Sequence, residues 1–508
     1  MTSDPNSTDQ APRRFLPLAL KIIGAHLVLI IAVIIPLVIH ENRQAERDWI
    51  TFTDYWEAKG ESFNYKDFIP PEIPDQENFA TSPIIAELFD EITPNQLETL
   101  DFDNIKNIEI QAPSKPDLMD RQRAIGGPER NLIDYLAVPD NHTSKEEAAK
   151  IILDSLKPLE PLFLKIEQTC QRLSVRYPVD YDHPITARHN QLSLFPAIKA
   201  LVAKIRAQVA LKKSTDAGKD LLTLLHLIDM LGSDHSFIPK TIEASMYSVV
   251  LPTIWEGLKT RNFTEKDLKL IDRKLQKTEL QQEFIQTVRA ERAAFLDLME
   301  NNPEAFYGML KVEYFYDHSD ANHIALAFRV LGLSQAFAHR NKLIYSKFIQ
   351  DHYLTTDDKI NTNEINLTIV SNAEKEFSKL QKHPFLSTHP YSVLLSAQGE
   401  GLLFGVAKKI TQTSVRINLA RVAISLELYH REHGNYPDSL TLLTPAQPND
   451  LPLDLYTGKP FHYRINSDGA PVIYSVGENR IDEGGRLGED DLIWQYEIPE
   501  DIDKATTK

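Results

Sequence analysis

An uninterrupted apolar run near the amino terminus constrains this chain more than any other feature. Residues 22–39 carry no formal charge and are dense in Ile, Leu and Val. As a helix they would extend about 27 Å, close to the ~30 Å hydrocarbon core of a bilayer. We therefore predict a transmembrane helix over residues 15–40, with Lys21 reaching the headgroups at one end. A helix buried in the core of a soluble protein is the alternative.

The flanks of this run predict an uncleaved signal anchor. The sequence behind it offers no pair of small residues three apart, as a signal-peptidase site would require. Arg13, Arg14 and Lys21 lie on its amino-terminal side, and this positive charge favours a cytoplasmic tail over residues 1–14. We therefore expect one membrane span, with the bulk of the chain on the extracytoplasmic side.

The amino-acid composition argues against nucleic-acid partners and against cysteine-based sites. The chain has 508 residues and a formal net charge of −17, which disfavours nucleic-acid binding because a phosphate backbone requires a basic surface. Cys170 is the single cysteine, which excludes an intrachain disulfide or a cysteine-based zinc site. Glycine is scarce, at 19 residues, as is typical of a mostly helical protein.

A segment with a proline-rich stretch lies between the predicted anchor and the main body of the chain. Residues 41–120 begin with a predicted helix, because Trp49, Phe52 and Trp56 fall on one face. The stretch 66–83 then carries four prolines, each of which fixes φ and removes a hydrogen-bond donor. This pattern predicts an extended strap rather than a packed element.

Residues 121–410 are predicted to form one all-helical domain. Ser144 with Glu147, and Thr264 with Asp267, have the spacing of capping boxes, which mark helix starts. Apolar residues recur at helical spacing between these starts and the next glycine or proline. Further helices are predicted over residues 220–231, 241–258, 280–298 and 323–350.

The last segment, residues 411–508, changes character. Apolar residues from Val415 to Tyr429 are spaced alternately four and three apart, forming one seam on a helix that Gly434 would end. Strand patterns follow, and residues 466–469 are a hairpin signal. The predicted fold class is therefore mainly α: a transmembrane helix, a large helical domain and a small α+β head with a three-stranded antiparallel sheet. The predicted strands are residues 461–465, 472–476 and 492–494.

Several motifs of this segment follow one another in order: HGNYPDSLTLL, DLYTGKPFHY, IYSVGENRIDEGG and GEDDLIW. Over residues 416–494 they resemble the globular head of the major pseudopilins of type II secretion systems. Two features differ from that family: about 370 residues separate span and head, and residues 15–39 lack the glutamate of a prepilin-peptidase site. The whole chain also resembles uncharacterised single-pass bacterial envelope proteins. These resemblances imply a bacterial inner membrane, with the body in the periplasm.

Residues 477–491, GENRIDEGGRLGEDD, are the strongest candidate site. They hold six acids and four glycines between two predicted strands, and Ca²⁺ binds several oxygens offered by a flexible backbone. The resemblance implies calcium in the matching loop of the family, with Asp490 at the position of a family acid. An ordinary solvated acidic loop is the alternative. The predicted calcium ligands are Glu478, Asp482, Asp490 and Asp491.

No motif of a serine hydrolase, a P-loop or a dinucleotide-binding fold is present. The sequence therefore favours a membrane-anchored scaffold or interaction protein of the bacterial envelope, related to secretion through the resemblance. Its expected partners are membrane lipid, through residues 15–40, and other envelope proteins. The alternative is an extracytoplasmic metal-dependent hydrolase. Its metal would be held by central residues among His226, Asp229, His235, His318 and His323.

Overall fold

The computed structural model confirms a mainly helical chain with a small antiparallel sheet near its carboxyl terminus. It divides into two compact units. Unit 1 comprises Met1–Phe63, Leu296–Gln350 and Phe377–Gln398, and unit 2 comprises Asn64–Phe295, Asp351–Glu376 and Gly399–Lys508. The structure describes residues 15–85, 124–125, 144–182, 194–233, 236–301, 334–356, 359–360, 365, 370, 375, 400–443, 451–486 and 490–496.

Helices make up most of these described residues, with short strands between and after them. The α-helices are α1 (Phe15–Glu57), α2 (Lys145–Leu156), α3 (Glu160–Thr169), α4 (Phe195–Ala210), α5 (Ser214–Gly232), α6 (Phe237–Lys259), α7 (Glu265–Gln276), α8 (Leu280–Asn301), α9 (Ser334–Ile349) and α10 (Glu400–His433). The strands are β1 (Ala124–Ile125), β2 (Thr355–Thr356), β3 (Lys359–Ile360), β4 (His462–Ile465), β5 (Pro471–Ser475) and β6 (Leu492–Gln495).

Unit 1 pairs the carboxyl-terminal part of α1 with α9. Ala45 is fully buried on α1. Asn42 caps the start of α9, because its Oδ1 accepts a hydrogen bond of 2.8 Å from the backbone N–H of Ala336. Arg340 of α9 lies 3.1 Å from Glu41 and 2.5 Å from Asp48. These polar contacts therefore hold α9 against the part of α1 that directly follows the apolar run.

No helix in the described part of the chain has the length and sustained apolarity that crossing a membrane requires. The predicted span over residues 15–40 falls within α1, and the side chains of residues 15–31 lie outside the described part.

Unit 2 is built around α6, which packs against α4, α5 and α10. Buried residues occur on every side of α6, as expected for a helix that is apolar nearly all round. Both predicted capping boxes are confirmed: Ser144 with Glu147 starts α2, and Thr264 with Asp267 starts α7. Local sequence signals thus set where these helices begin, and the apolar surface of α6 sets what they pack against.

The proline-rich strap lies against the segment that follows α3, within unit 2. Asn78 pairs with Ser174 in a parallel bridge. Arg172 donates hydrogen bonds to the carbonyls of Asp75 and Asn78, at 2.9 and 2.8 Å, and Arg176 donates to the carbonyl of Pro70 at 3.1 Å. A proline-rich segment offers backbone carbonyls but has few N–H donors of its own. Arginine side chains supply the donors here.

The carboxyl-terminal sheet confirms the three predicted antiparallel strands. The strand order is β1-β6-β5-β4, and Ile473 of β5 faces Trp494 of β6. Gly469, with φ +80°, turns the hairpin between β4 and β5. The sequence did not predict β1, which pairs parallel to β6. Trp255 of α6 donates its indole N–H to the carbonyl of Gln495 at 2.8 Å, so the sheet is tied to the centre of the helical core.

The motifs that carry the pseudopilin resemblance contact one another. The Tyr463 hydroxyl donates to the carbonyl of Pro437 at 2.8 Å, which joins the first motif to the first strand of the head. The buried carboxylate of Asp454 accepts hydrogen bonds from the Tyr456 N–H at 3.0 Å and the Ser475 hydroxyl at 2.9 Å. These motifs therefore have a structural role in closing the head around its turns.

Candidate functional site

The acidic loop joins β5 to β6, two strands in which every residue is buried. Its ends come so close that a Cβ on Gly477 would lie 2.4 Å from the carbonyl oxygen of Asp490. Gly477 and Gly485 have φ values of +66° and +62°, which side chains of L-residues rarely adopt. The two glycines therefore set the path of the loop and bring its last acids beside its first residues.

Glu478 and Asp490 are held by neighbouring groups rather than by each other. Glu478 Oε2 lies 2.6 Å from Lys408 Nζ. Asn479 donates from its amide nitrogen to Asp490 Oδ2 at 3.2 Å and to Glu483 Oε1 at 2.7 Å. The backbone N–H of Asp490 closes this part of the loop by donating to Glu483 Oε2 at 3.0 Å. Asn479 and Glu483 thus act as organising residues that the ligand prediction did not name.

Asp482 lies in a separate hydrogen-bonded group. It accepts from the Gly484 N–H at 2.9 Å and from the Tyr474 hydroxyl at 3.1 Å, and His462 Nδ1 lies 3.4 Å from its other oxygen. The Gly484 N–H lowers the pKa of Asp482, with help from Tyr474 and His462. Burial raises the pKa of Tyr474 to about 12. Asp482 is therefore a stable carboxylate at neutral pH, and Tyr474 is a neutral donor.

Asp491 is the fourth predicted ligand and the one with an unsatisfied atom. Its side chain has no exposed surface. Oδ2 accepts a hydrogen bond of 2.7 Å from the Gly485 N–H, whereas no atom of the described residues is a hydrogen-bond partner for Oδ1. Burial, with the negative charges of Glu483 and Asp482, raises the pKa of Asp491 to about 6. A cation beside Oδ1 would compensate both the burial and the charge.

The four predicted ligands do not converge on one point. The described residues include no group of three or more His, Cys, Asp or Glu side chains arranged to hold a metal ion. Glu478 and Asp490 accept from Lys408 and Asn479, and Oδ1 of Asp491 is buried without a hydrogen-bond partner among the described residues. Calcium binding here would require the loop to exchange some of its internal hydrogen bonds for metal–oxygen bonds.

His226 and Asp229, from the hydrolase alternative, are brought together with a lysine. Lys274 Nζ donates to Asp229 Oδ2 and lies 3.5 Å from His226 Nδ1. The other imidazole nitrogen of His226 lies 3.2 Å from the carbonyl oxygen of Arg172, to which it donates. Burial lowers the pKa of His226, and the charge of Lys274 lowers it further. Both ring nitrogens are engaged, and an ammonium group lies where a metal ion would have to approach.

The other residues of that alternative cannot be placed beside this group. Two other described histidines are also engaged: His430 lies 3.1 Å from Arg261, and His433 lies 3.0 Å from the carbonyl oxygen of Tyr429. Three further residues of that hypothesis, His235, His318 and His323, lie outside the described residues.

Sequence reasoning missed a buried Lys240–Glu243 pair on α6, which Glu283 of α8 joins from a part-exposed position. Lys240 lies 3.0 Å from Glu243 Oε2 and also donates to Glu283 of α8. Burial raises the pKa of Glu243 to about 8; Lys240 opposes this rise, and the charges of Glu283 and Asp229 add to it. The available signal was a lysine and a glutamate three apart on a helix with no polar face, since charges there must be buried and paired.

Comparison of the chain with models of protein families, with curated proteins and with solved structures found no match.

Proposed function

We propose that this protein is a single-pass, membrane-anchored scaffold or interaction protein of the bacterial envelope, with its large helical units on the extracytoplasmic side. The supporting observation is a change in the surface of α1. The side chains of Val33, Ile34, Ile35, Leu37 and Ile39 are apolar and exposed. Beyond them, Glu41, Asn42 and Asp48 form ion pairs and a hydrogen bond with α9. A helix that leaves a bilayer and enters a protein would show such a change.

The distribution of the exposed apolar residues favours lipid over a protein partner. Val33 is 53% exposed and Leu37 is 61% exposed. At 100° per residue, residues 33, 34, 35, 37 and 39 point around the whole circumference of the helix. A helix that docks on one protein surface needs an apolar stripe, whereas a helix in lipid is apolar all round. Residues 22–32 of the sequence continue the same composition towards the amino terminus.

An interaction role fits the rest of the chain better than catalysis does. The polar residues of the hydrolase alternative that the structure describes are satisfied by Lys274 and by backbone carbonyls. The resemblance of residues 416–494 to pseudopilin heads adds a connection with secretion. Such a head is joined here to a helical body and a proposed membrane anchor. This arrangement suits a protein that acts by binding other envelope proteins.

The interaction role is tested by cross-linking the full chain in intact membranes and purifying it under denaturing conditions. We expect defined cross-linked products with other envelope proteins. A single-pass membrane protein of similar abundance, with an unrelated extracytoplasmic domain, is the control. Products no different from those of the control would overturn the interaction role and leave the anchor to be tested separately.

We also propose that the acidic loop binds Ca²⁺ through Asp491, with Glu478, Asp482 and Asp490 as candidate further ligands. The observation that favours this is the buried Oδ1 of Asp491, which is without a hydrogen-bond partner among the described residues. The loop has the flexible glycines and the density of oxygens that calcium uses. Such an ion would act structurally, by fixing the loop between β5 and β6.

A further inference from the structure

Two arginines of α10 are equally buried but differ in their hydrogen-bond partners. Arg416 and Arg421 are each 9% exposed. Arg421 lies 3.1 Å from the carboxylate of Asp272. For Arg416, neither Nε nor Nη2 has a hydrogen-bond partner anywhere in the described residues. A buried guanidinium is costly unless a negative group and hydrogen-bond acceptors compensate it, so Arg416 presents donors that a ligand could use.

Arg416 keeps its charge despite its burial. Burial lowers its pKa to about 10, which still leaves the guanidinium protonated at neutral pH. The neighbouring phenol of Tyr456 is not a counter-ion, because burial raises its pKa well above the ordinary value. The nearby carboxylate of Glu478 lies 2.6 Å from Lys408 and is paired there. The positive charge therefore persists without compensation from these neighbours.

Lys409 adds a second cation to the same face of α10. It precedes Arg416 by seven residues, two turns of helix, which corresponds to about 10 Å along the axis. Both side chains are long enough to reach a common point from that separation. Burial lowers the pKa of Lys409, and the charge of Arg416 lowers it further. Lys409 is only half-buried, whereas the unpartnered nitrogens of Arg416 are fully buried, so a ligand would have to reach Arg416 from the Lys409 side.

We propose that Arg416 and Lys409 form a binding site for an oxyanion group, a phosphate or a carboxylate carried by a small ligand. The planar fork of a guanidinium matches two oxygens of either group, and the ammonium supplies a second charge without directional demand. Tyr456, as a neutral phenol, is a further donor at the same position. This proposal does not rest on the membrane anchor, and the site is next to the acidic loop, because Glu478 acts on Tyr456.

The test compares thermal melts of the full chain, purified in mild detergent, in sodium phosphate, sodium acetate and sodium chloride of equal ionic strength at neutral pH. We expect phosphate or acetate to raise Tm by about 2 °C over chloride at saturating concentration. Arg416→Met should abolish this rise, and Lys409→Gln, at a half-exposed position, should reduce it. The anion with the larger effect identifies the class of ligand.

The matched control is Arg421→Met, which removes an equally buried arginine from the same helix. It should lower Tm in all three salts, because Asp272 loses its partner, and should keep the phosphate or acetate response. Arg416→Met should by contrast keep or raise Tm in chloride, because it removes an uncompensated buried charge. Equal melts of the unmodified chain in all three salts, or an unchanged response in Arg416→Met, would overturn the proposal.

Discussion

Gly232, the last residue of α5, lies directly against the carboxylate of Glu243 on α6. A Cβ on Gly232 would lie 1.9 Å from Glu243 Oε2, far inside van der Waals contact. The absence of a side chain at this position therefore lets α5 approach α6 where the buried Lys240–Glu243 pair lies. A position that looks like an ordinary helix terminator in the sequence is a packing position.

Gly232→Ala should destabilise unit 2 by about 2–3 kcal/mol, because the methyl group overlaps a buried carboxylate that Lys240 holds in place. The measurement is the free energy of unfolding in urea. Gly405→Ala is the control: Gly405 lies in α10 with open space around its Cα, so alanine should stabilise by about 0.5–1 kcal/mol through helix propensity. Equal effects of the two substitutions would contradict the packing argument.

Glu243→Gln should change how stability depends on pH. The pKa of Glu243 is raised to about 8 by burial, whereas the unfolded chain releases this proton near pH 4.5. Between these values the folded state holds more protons, so the free energy of unfolding falls as pH rises. Removing the carboxyl should flatten the slope by roughly 1.4 kcal/mol per pH unit. Parallel pH profiles for the two proteins would refute the assignment.

Glu256→Gln, on the same helix, is predicted to behave in the opposite way. Burial would raise the pKa of Glu256, but Arg206 at 3.0 Å and Lys145 at 2.7 Å outweigh it and lower the pKa. The carboxylate therefore stabilises the fold above its ordinary pKa, and this contribution is lost as pH falls through the lower folded value. The variant should lose about 2–4 kcal/mol at pH 7. A loss that does not shrink in acid would contradict this account.

Local features of the fold could be predicted from the sequence, and long-range pairings could not. The capping box of Ser144 and Glu147 and the hairpin turned at Gly469 depend on residues that are neighbours in the chain. The partner of Lys240 on α8 depends on how helices pack, which no local spacing encodes. Strand β1 was missed for a related reason, because two residues are too few to show an alternating pattern.

The candidate site shows the same division. Its position between two buried strands followed from turn and strand signals, and the acids were visible as composition. Their partners were not predictable, because Lys408 reaches Glu478 from α10 and His462 reaches Asp482 from β4. Which acid is left with a buried oxygen that has no hydrogen-bond partner among the described residues depends on those partners, and it is Asp491.

Calcium should stabilise the chain only while Asp491 is present. We expect Tm in millimolar Ca²⁺ to exceed Tm in EDTA, and Asp491→Asn to remove the difference. The effect should weaken as pH falls through about 6, where the raised pKa of Asp491 leaves the carboxyl protonated. Asp438→Asn, at an exposed position of the same unit, is the control and should keep the response. Identical melts in Ca²⁺ and EDTA would contradict calcium binding and favour the alternative, an ordinary solvated acidic loop.

Arg340→Met should loosen α9 from α1 within unit 1. Arg340 is the one side chain that pairs with both Glu41 and Asp48 in the described residues, and losing these part-exposed pairs should cost about 1 kcal/mol. The expected readout is faster amide hydrogen exchange in residues 334–349. Lys347→Met, at an exposed position of the same helix, should leave exchange unchanged. Equal protection in both variants would show that the ion pairs do not hold the helix.

The anchor and its orientation are tested most directly by adding protease outside bacterial spheroplasts that express the full chain. The account predicts that the folded bulk beyond residue 40 is digested, leaving a short amino-terminal fragment in the membrane, while a cytoplasmic marker stays intact. A full-length chain that survives the protease until the spheroplasts are lysed, or that is recovered in the soluble fraction, would contradict it.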